Sequence, residues 1–564
     1  MSLLGSRADR LGNNSLLLGS LVSAAGLSGS HLESEVRLSR RDDDGLSVGS
    51  SARPEIDRRA VWGLYCSWAM VGLVYGFVGN YINIPICEYV FGPMDSLGRS
   101  TTAQCNIAPT ITCLPWNFQV FYGLFLDRVC FFGTRRIGWI IFGWTMALIV
   151  LGVICFFVDS LVAEGDFFTY MILMMVMCSF YIFSTVASDA MTIEFGKLEP
   201  PESRGYILTT AQMVRFATTV FVNVLGIIGM NGKDYYPAGS EDNGTIFPFE
   251  LKFWQVHLVL LCLALPLYVA MVCLLKDPPA QVAEEHHTLQ TVISTLWTVV
   301  QTKVMLCLIV FGIGSISVAS LTNPAANIIA FIATPSTLQI SLGTLVGNLL
   351  FLSGVWLFRK YFMNTNWRMT FIWTALLLTT NSVFQLLVIY NAWGVGQSGW
   401  FYAFGSNILM IIQGVAQVLS SLAVIEIAPP GFEASIYEFL TSMHNSGIAL
   451  NTNFQNLFLP IFQLNGIPDL YKKDLANRAL YNSRLAAATY FTIVTNLVGS
   501  AIFCWFLPKD KAQCKTWFAQ WQRKPTGVFN LAFGGGALFF SLVVSVLSGL
   551  PSTDCLKIAG GPGC

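Results

Sequence analysis

Charge is what this sequence has least of. Only 11% of its 564 residues are Asp, Glu, Lys or Arg, where a soluble domain carries about 25%. Too few charges are present to cover a chain of this size with a water-facing surface. Soluble enzymes, nucleic-acid binders and disordered scaffolds are therefore poor readings. The 32 basic and 32 acidic residues cancel, so no net field draws polyanions, and no nucleic-acid partner is expected. Cysteine, with 14 residues, is well below the density of a disulfide scaffold. The histidines, His31, His257, His286, His287 and His444, fall at no spacing that gathers a metal or builds a catalytic relay. No GxxxxGKS or GxxxxGKT loop is present to hold a nucleotide. No enzyme, metal or cofactor is expected.

What remains is apolar. Hydrophobic residues make up 54% of the chain and mean hydropathy is +0.59. From residue 60 the sequence falls into stretches of about 20 residues, the length that spans a hydrocarbon core of about 30 Å. Twelve such spans are expected at 60–84, 106–126, 137–158, 168–194, 207–230, 251–275, 301–326, 337–358, 369–391, 399–427, 435–463 and 486–507. A weaker thirteenth, 528–550, contains Gly534-Gly535-Gly536. The expected fold is all-α and polytopic, with a disordered cytosolic tail at 1–59 and a first bundle of six helices at 60–275. A cytosolic linker at 276–300 then leads to a second six at 301–508. A basic segment and the possible extra span occupy 509–564. Two bundles of six around a linker is the arrangement of the major facilitator superfamily.

Basic residues set the expected orientation. Arg128, Arg135 and Arg136, then Lys197 and Arg204, then Lys276, then Arg359, Lys360 and Arg368 fall in alternate loops, which places the N-terminus inside. Lys472, Lys473, Arg478 and Arg484 are the exception. On this topology the sequon at Asn243 faces outward, where it can be glycosylated, and a disulfide among Cys87, Cys105 and Cys113 is open to the outer side. A multi-pass protein of the plasma membrane, monomeric in the bilayer, is the expectation.

The sharpest motif is FYGLFLDRVCFFGTRR at 121–136. It resembles the loop motif of major facilitator transporters: Gly123, Asp127-Arg128, Gly133 and Arg135-Arg136. Gly123 permits close approach of a neighbouring helix, and Asp127 can accept from guanidinium groups, which makes the loop a clasp for one of two bundle arrangements. Inside the membrane, ionisable groups are costly and usually face a cavity or a partner. Asp189 and Glu194 lie near the inner end of the fourth span. Separated by about 140° of helical rotation, they are expected to have different tasks. Arg215 is a plausible partner for Asp189. Glu426, Glu433 and Asn445 occupy the corresponding part of the second half, around Pro429-Pro430-Gly431.

The strings PWNFQVFYGLFLDRVCFFGTRRIGW (115–139), Ser188-Asp189-Ala190 to Glu194, LFRKYFMNTNWRMTFIWT (357–374) and APPGFEASIYEFLTSMHNSG (428–447) resemble the folate-biopterin transporter family, a branch of the major facilitator superfamily. The resemblance implies a secondary active transporter of pteridines working by alternating access; with no nucleotide loop to supply ATP drive, proton symport through a membrane carboxylate, or facilitated exchange, is the expected coupling. A pterin has a flat face that stacks on aromatics and a donor edge that meets a carboxylate with two hydrogen bonds. Tyr75, Asn80, Trp116 and Gln119 become candidates for substrate contact, with Asp189 as the pterin-edge or coupling acid and Arg215 as the receptor of a glutamate tail. Gln119 stands where family members commonly carry lysine. That departure keeps two alternatives in view: a carrier of another small organic solute, and a non-transporting receptor or scaffold on a transporter fold.

Overall fold

A computed structural model describes residues 56–78, 115–200, 203–232, 247–278, 288–333, 335–417, 419–464 and 477–549, with Thr553 and Leu556. Asn80, Asn243, Cys87, Cys105, Cys113 and nearly all of the 1–59 tail lie outside these residues.

The described chain is helical, with no strand among the described residues beyond two isolated bridges. The first half contains α1 (Arg58–Phe77), α2 (Gln119–Arg128), α3 (Ile137–Glu164), α4 (Phe167–Leu198), α5 (Tyr206–Gly229) and α6 (Phe253–Leu274). Capping residues fix several boundaries. Asp57 opens α1 and Asp166 opens α4, accepting from the amides of Arg59 and Thr169, while Gly165 ends α3 in the left-handed region at φ 70°.

The segment read as a linker contains a helix, α7 (Leu289–Val300), which buries Val292, Val299 and Val300. After it come α8 (Lys303–Ser317), α9 (Ala326–Ala333), α10 (Thr337–Leu357), α11 (Trp367–Leu378), α12 (Thr380–Ile389), α13 (Gly399–Asn407), α14 (Met410–Gln417), α15 (Leu419–Ile427), α16 (Glu433–Ile461), α17 (Arg478–Phe503), α18 (Lys511–Gln520) and α19 (Lys524–Gly549). Ten helices among the described residues are long and apolar enough to cross a membrane, and the helix containing the expected thirteenth span is one of them. Helicity continues through Gly534-Gly535-Gly536. A Cβ on Gly534 would collide with the Met443 sulfur, so this glycine lets α19 lie close against α16.

Three expected spans look different. The second is described only from Pro115. The eleventh, α16, is 29 residues long but too polar to rank with the ten. The seventh breaks over 318–325, between α8 and α9, a stretch in which Pro324 has no amide to continue a ladder. Backbone groups freed by that break cannot go unbonded in lipid. Asn451 of α16 meets them: its Nδ2 donates to the carbonyls of Ile316 and Ser320, both at 2.8 Å, and its Oδ1 accepts from the Thr322 amide at 3.0 Å.

Two large cores result. One is built from α1–α6, around Trp68, Trp144, Tyr170 and Tyr181. The other is built chiefly from α7 onward, around Phe358, Trp367 and Ile436. Ala434 of α16 belongs to the first core, and Ile193, Leu208 and Phe216 of α4 and α5 to the second, so the two halves interlock. His257, inside the first core, bonds Tyr170 (3.1 Å) and the Phe253 carbonyl (2.9 Å), as a packed histidine should.

Candidate functional site

The loop motif forms a turn before it forms a clasp. Phe131 and Thr134 exchange backbone bonds of 3.0 and 3.1 Å, with Phe132 (φ 51°) and Gly133 (φ 68°) between them. Two successive residues at positive φ are the signature of a type I′ turn, and glycine takes the second place without strain. Nothing lies within 4 Å of a Cβ placed on Gly133, so its backbone conformation accounts for it. Asp277, just after α6, then caps α3 by accepting from the amides of Arg135, Arg136 and Ile137 at 3.1 to 3.3 Å.

That geometry delivers Arg136 into the interior, where it is fully buried. Its Nε donates to Glu194 at 3.0 Å, one terminal nitrogen to Asp127 at 2.7 Å, and the other to the Leu126 carbonyl at 3.3 Å. Burial works against the guanidinium charge, but Glu194, Asp127 and Glu433 outweigh it and raise its pKa above the ordinary arginine value. Asp127 turns its second oxygen to α16, accepting from the Ser435 amide (2.7 Å) and hydroxyl (2.6 Å). Glu433 accepts from Lys197 at 2.8 Å and from Arg135 at 3.1 Å. A second bridge joins Glu426 to Arg204 at 3.0 Å and to Lys515 at 3.4 Å. Arg128 is exposed and forms no ion pair among the described residues, so the clasp uses the Arg135-Arg136 pair of the motif and not Arg128.

The same helix pair carries the contact inward. Gly123 packs on α16 so tightly that a Cβ there would sit 2.7 Å from the Ala434 carbonyl oxygen. Further along, Ser442 accepts from the Val120 amide at 3.1 Å. Asn445 then donates to the Trp116 carbonyl (3.2 Å) and to Gln119 Oε1 (3.3 Å). Gln119 is thus buried against the opposite half. A lysine here would bring a charge into this interface.

Trp116 also faces a cluster contributed by α1, α4 and α5. The Arg215 guanidinium lies 4.4 Å from the Tyr75 ring centroid and 5.8 Å from that of Trp116. Trp116 in turn meets Tyr75 and Tyr181 edge-on. The expected Asp189–Arg215 ion pair is not closed to within 4.0 Å: Arg215 stacks on aromatics, and its Nε and Asp189 Oδ1 have no hydrogen-bond partner among the described residues. The two remain within electrostatic reach, and Tyr437 of α16 donates to Asp189. Gln212, one turn before Arg215, likewise has a buried, unbonded Oε1.

Glu438 was not among the residues singled out in the sequence. It is fully buried on α16, faces Asp189 and Asp127 electrostatically, and neither of its oxygens meets a donor among the described residues. A signal was available: Glu438 sits one turn after Ala434 in IYEFLTSM, an acid inside an apolar run. Lys197, Asp277, Ser435 and Tyr437 carried no such signal, because their roles appear only when α4, α6 and α16 meet.

Glu199 is another addition. Lying beyond the end of α4, it caps α5 by accepting from the amides of Gly205 (2.7 Å), Tyr206 (3.1 Å) and Ile207 (2.8 Å). Burial pushes its carboxyl up to about 7, against those amide donors and the charges of Lys511 and Arg204. Because the folded value lies above the usual 4.5, folding favours the protonated form, and this contribution fades as pH rises from 4.5 toward 7. The wild type should therefore lose thermal stability relative to Glu199→Gln between about pH 5 and about pH 8, read from unfolding temperatures in detergent. A difference that does not vary with pH contradicts this assignment.

A family model described as the BT1 family matches residues 93–232 and 242–462. Comparison with curated sequences gives no match. Among solved structures, a D-xylose–proton symporter superposes with a TM-score of 0.51 at 11% identity, over 80% of this chain and 98% of that one. The human organic anion transporter MFSD10 gives 0.49 at 10% identity, over 79% and 99%. The outward conformation of FucP, a Major Facilitator Superfamily transporter, gives 0.45 at 12%, over 78% and 98%. The fold is all-α, polytopic and of the major facilitator type.

Proposed function

Since the chain belongs to the BT1 family of folate-biopterin transporters, we propose that it carries pteridines across the membrane by alternating access, with a proton as the coupled ion. That it is a multi-pass secondary transporter with a small-molecule substrate follows from the family and the fold. The pteridine itself is argued from chemistry. One observation carries it: Asp189 Oδ1 and Arg215 Nε are buried without partners beside the rings of Tyr75 and Trp116. A pterin edge supplies donors for Asp189, its face a surface for Trp116 or Tyr75, and a glutamate tail a carboxylate for Arg215.

The coupling step falls to Asp189 and Glu438. Neither Glu438 oxygen meets a donor among the described residues, which makes its charged form costly, and Asp189 within electrostatic reach adds to the cost, so a proton taken up by Glu438 relieves both acids. With the proton on Glu438, Asp189 is free to accept the donor edge of the substrate, so proton and substrate load together and cross in the same direction. Alternating access then requires the Arg136 clasp to open, since it ties α2, α3 and α4 to α16. The basic residues at the clasp end support a reading with that end and the N-terminus in the cytosol, the plasma membrane as location and a monomer as the working unit. The test is flux of labelled folic acid into vesicles reconstituted with the purified chain. Competition by folic acid and biopterin, and none by S-adenosylmethionine or nucleosides, is the expected pattern; the reverse pattern assigns a different solute.

A further inference from the structure

One cleft lies away from the Asp189 cluster. It holds about 800 Å³ and opens at the clasp end, between the start of α5 and the end of α10. Its wall includes Ser203, Tyr206, Trp356, Arg359, Lys360 and Asn364. The backbone here is unusual: α10 passes into a π-helical turn over Phe358–Phe362. Such turns insert one extra residue into a helix and are frequent at functional sites. This one brings Arg359 and Lys360 together into the wall of the cleft.

Neither cation is paired directly with an acid, and Glu199 reaches Arg359 only electrostatically. No carboxylate of a described residue lies within 4.0 Å of Arg359 or Lys360. Aromatic rings accompany them instead. The Arg359 guanidinium lies 3.3 Å from the Tyr206 ring centroid, and Lys360 Nζ lies 5.0 Å from that of Trp356 and 5.2 Å from that of Tyr361. Arg359 also donates to Thr210 at 3.0 Å through one terminal nitrogen, one of the five donors a guanidinium offers. Tyr206, Trp356 and Tyr361 are all exposed, as aromatics at a membrane boundary are. Leu349, farther up α10, is exposed too and continues the apolar surface into the span.

We propose that this cleft binds the phosphate group of an anionic phospholipid from the leaflet at the clasp end, with Arg359 and Lys360 as the anion receptors. A basic pocket between membrane helices, flanked by boundary aromatics and opening onto apolar helix surface, matches such a headgroup better than a soluble solute. Position gives the site a consequence. Tyr206 and Thr210 belong to the first half and Arg359 to the second, so an anion seated on Arg359 reinforces a contact between halves. Lipid binding should therefore favour the clasp-closed conformation. This inference uses the membrane location of the chain and is independent of the pteridine assignment.

The full-length chain in nanodiscs of phosphatidylcholine, with increasing phosphatidylserine or phosphatidic acid, provides the test. Anionic lipid should raise the unfolding temperature and persist as adducts in native mass spectrometry. Lys360→Gln alters an exposed side chain and should weaken retention about 5-fold, from about 1 kcal/mol per cation near a membrane surface. Arg359→Gln should do the same and also weaken closure, and Lys509→Gln, outside the cleft, should change nothing. Equal retention by Lys360→Gln and wild type overturns the site. If inorganic phosphate in pure phosphatidylcholine nanodiscs reproduces the stabilisation, the ligand is a soluble phosphate and the lipid assignment fails.

Discussion

Arg136→Met should cost about 3–5 kcal/mol of stability, the penalty for removing one member of a buried charge network. Asp127, Glu194 and Glu433 all converge on that guanidinium, and its removal leaves three carboxylates facing one another with only Arg135 and Lys197 at the edge. Arg136→Lys keeps the charge but cannot reach two acids and a carbonyl in the same plane, so it should recover only part of the loss. In the double variant Arg136→Met with Asp127→Asn, one orphaned acid is gone and the deficit should shrink, the sign of direct coupling. Unfolding temperatures in detergent supply the measurement. Wild-type stability in Arg136→Met would show that the buried network does not hold the two halves together.

The second large effect concerns transport and not stability. Asp189→Asn keeps the side-chain volume and should lower uptake about 10- to 100-fold, the range for losing a charge-assisted hydrogen-bond partner of about 1.5–3 kcal/mol. Glu438→Gln should behave differently. It replaces a buried acid with an uncharged isostere, so folding is unharmed, but the response of uptake to an inward proton gradient should disappear while exchange continues. If both variants transport like wild type and keep their proton response, neither acid takes part in coupling. If Asp189→Asn alone is impaired, the acid belongs to substrate binding and coupling resides elsewhere.

These contrasts follow what a sequence can carry. Spans were legible because length and hydropathy are local properties, and the clasp because glycine, acid and arginine pair fall at fixed separations within 121–136. The break over 318–325 was less legible. A 26-residue apolar stretch reads as one span, and only Asn451, more than a hundred residues away, shows how the freed backbone is bonded. Glu438 is legible only as an acid inside an apolar run, and its meaning comes from facing Asp189 across the two halves. The Asp189–Arg215 pair erred in the other direction. Opposite charges at similar depth suggest a bridge, but Tyr75 and Trp116 offered the guanidinium a second attractive surface. Arg128 fell short of its place in the motif because α2 ends there and turns its side chain outward, while the turn at 131–134 sends Arg136 in.

The most direct test of the account is flux of labelled folic acid into proteoliposomes containing only the purified chain. Saturable uptake that is accelerated by an inward proton gradient, competed by biopterin and lost in Asp189→Asn is the predicted result. Saturable binding of folic acid with no accumulation inside the vesicles would contradict it, because a receptor on a transporter fold would then describe the protein better.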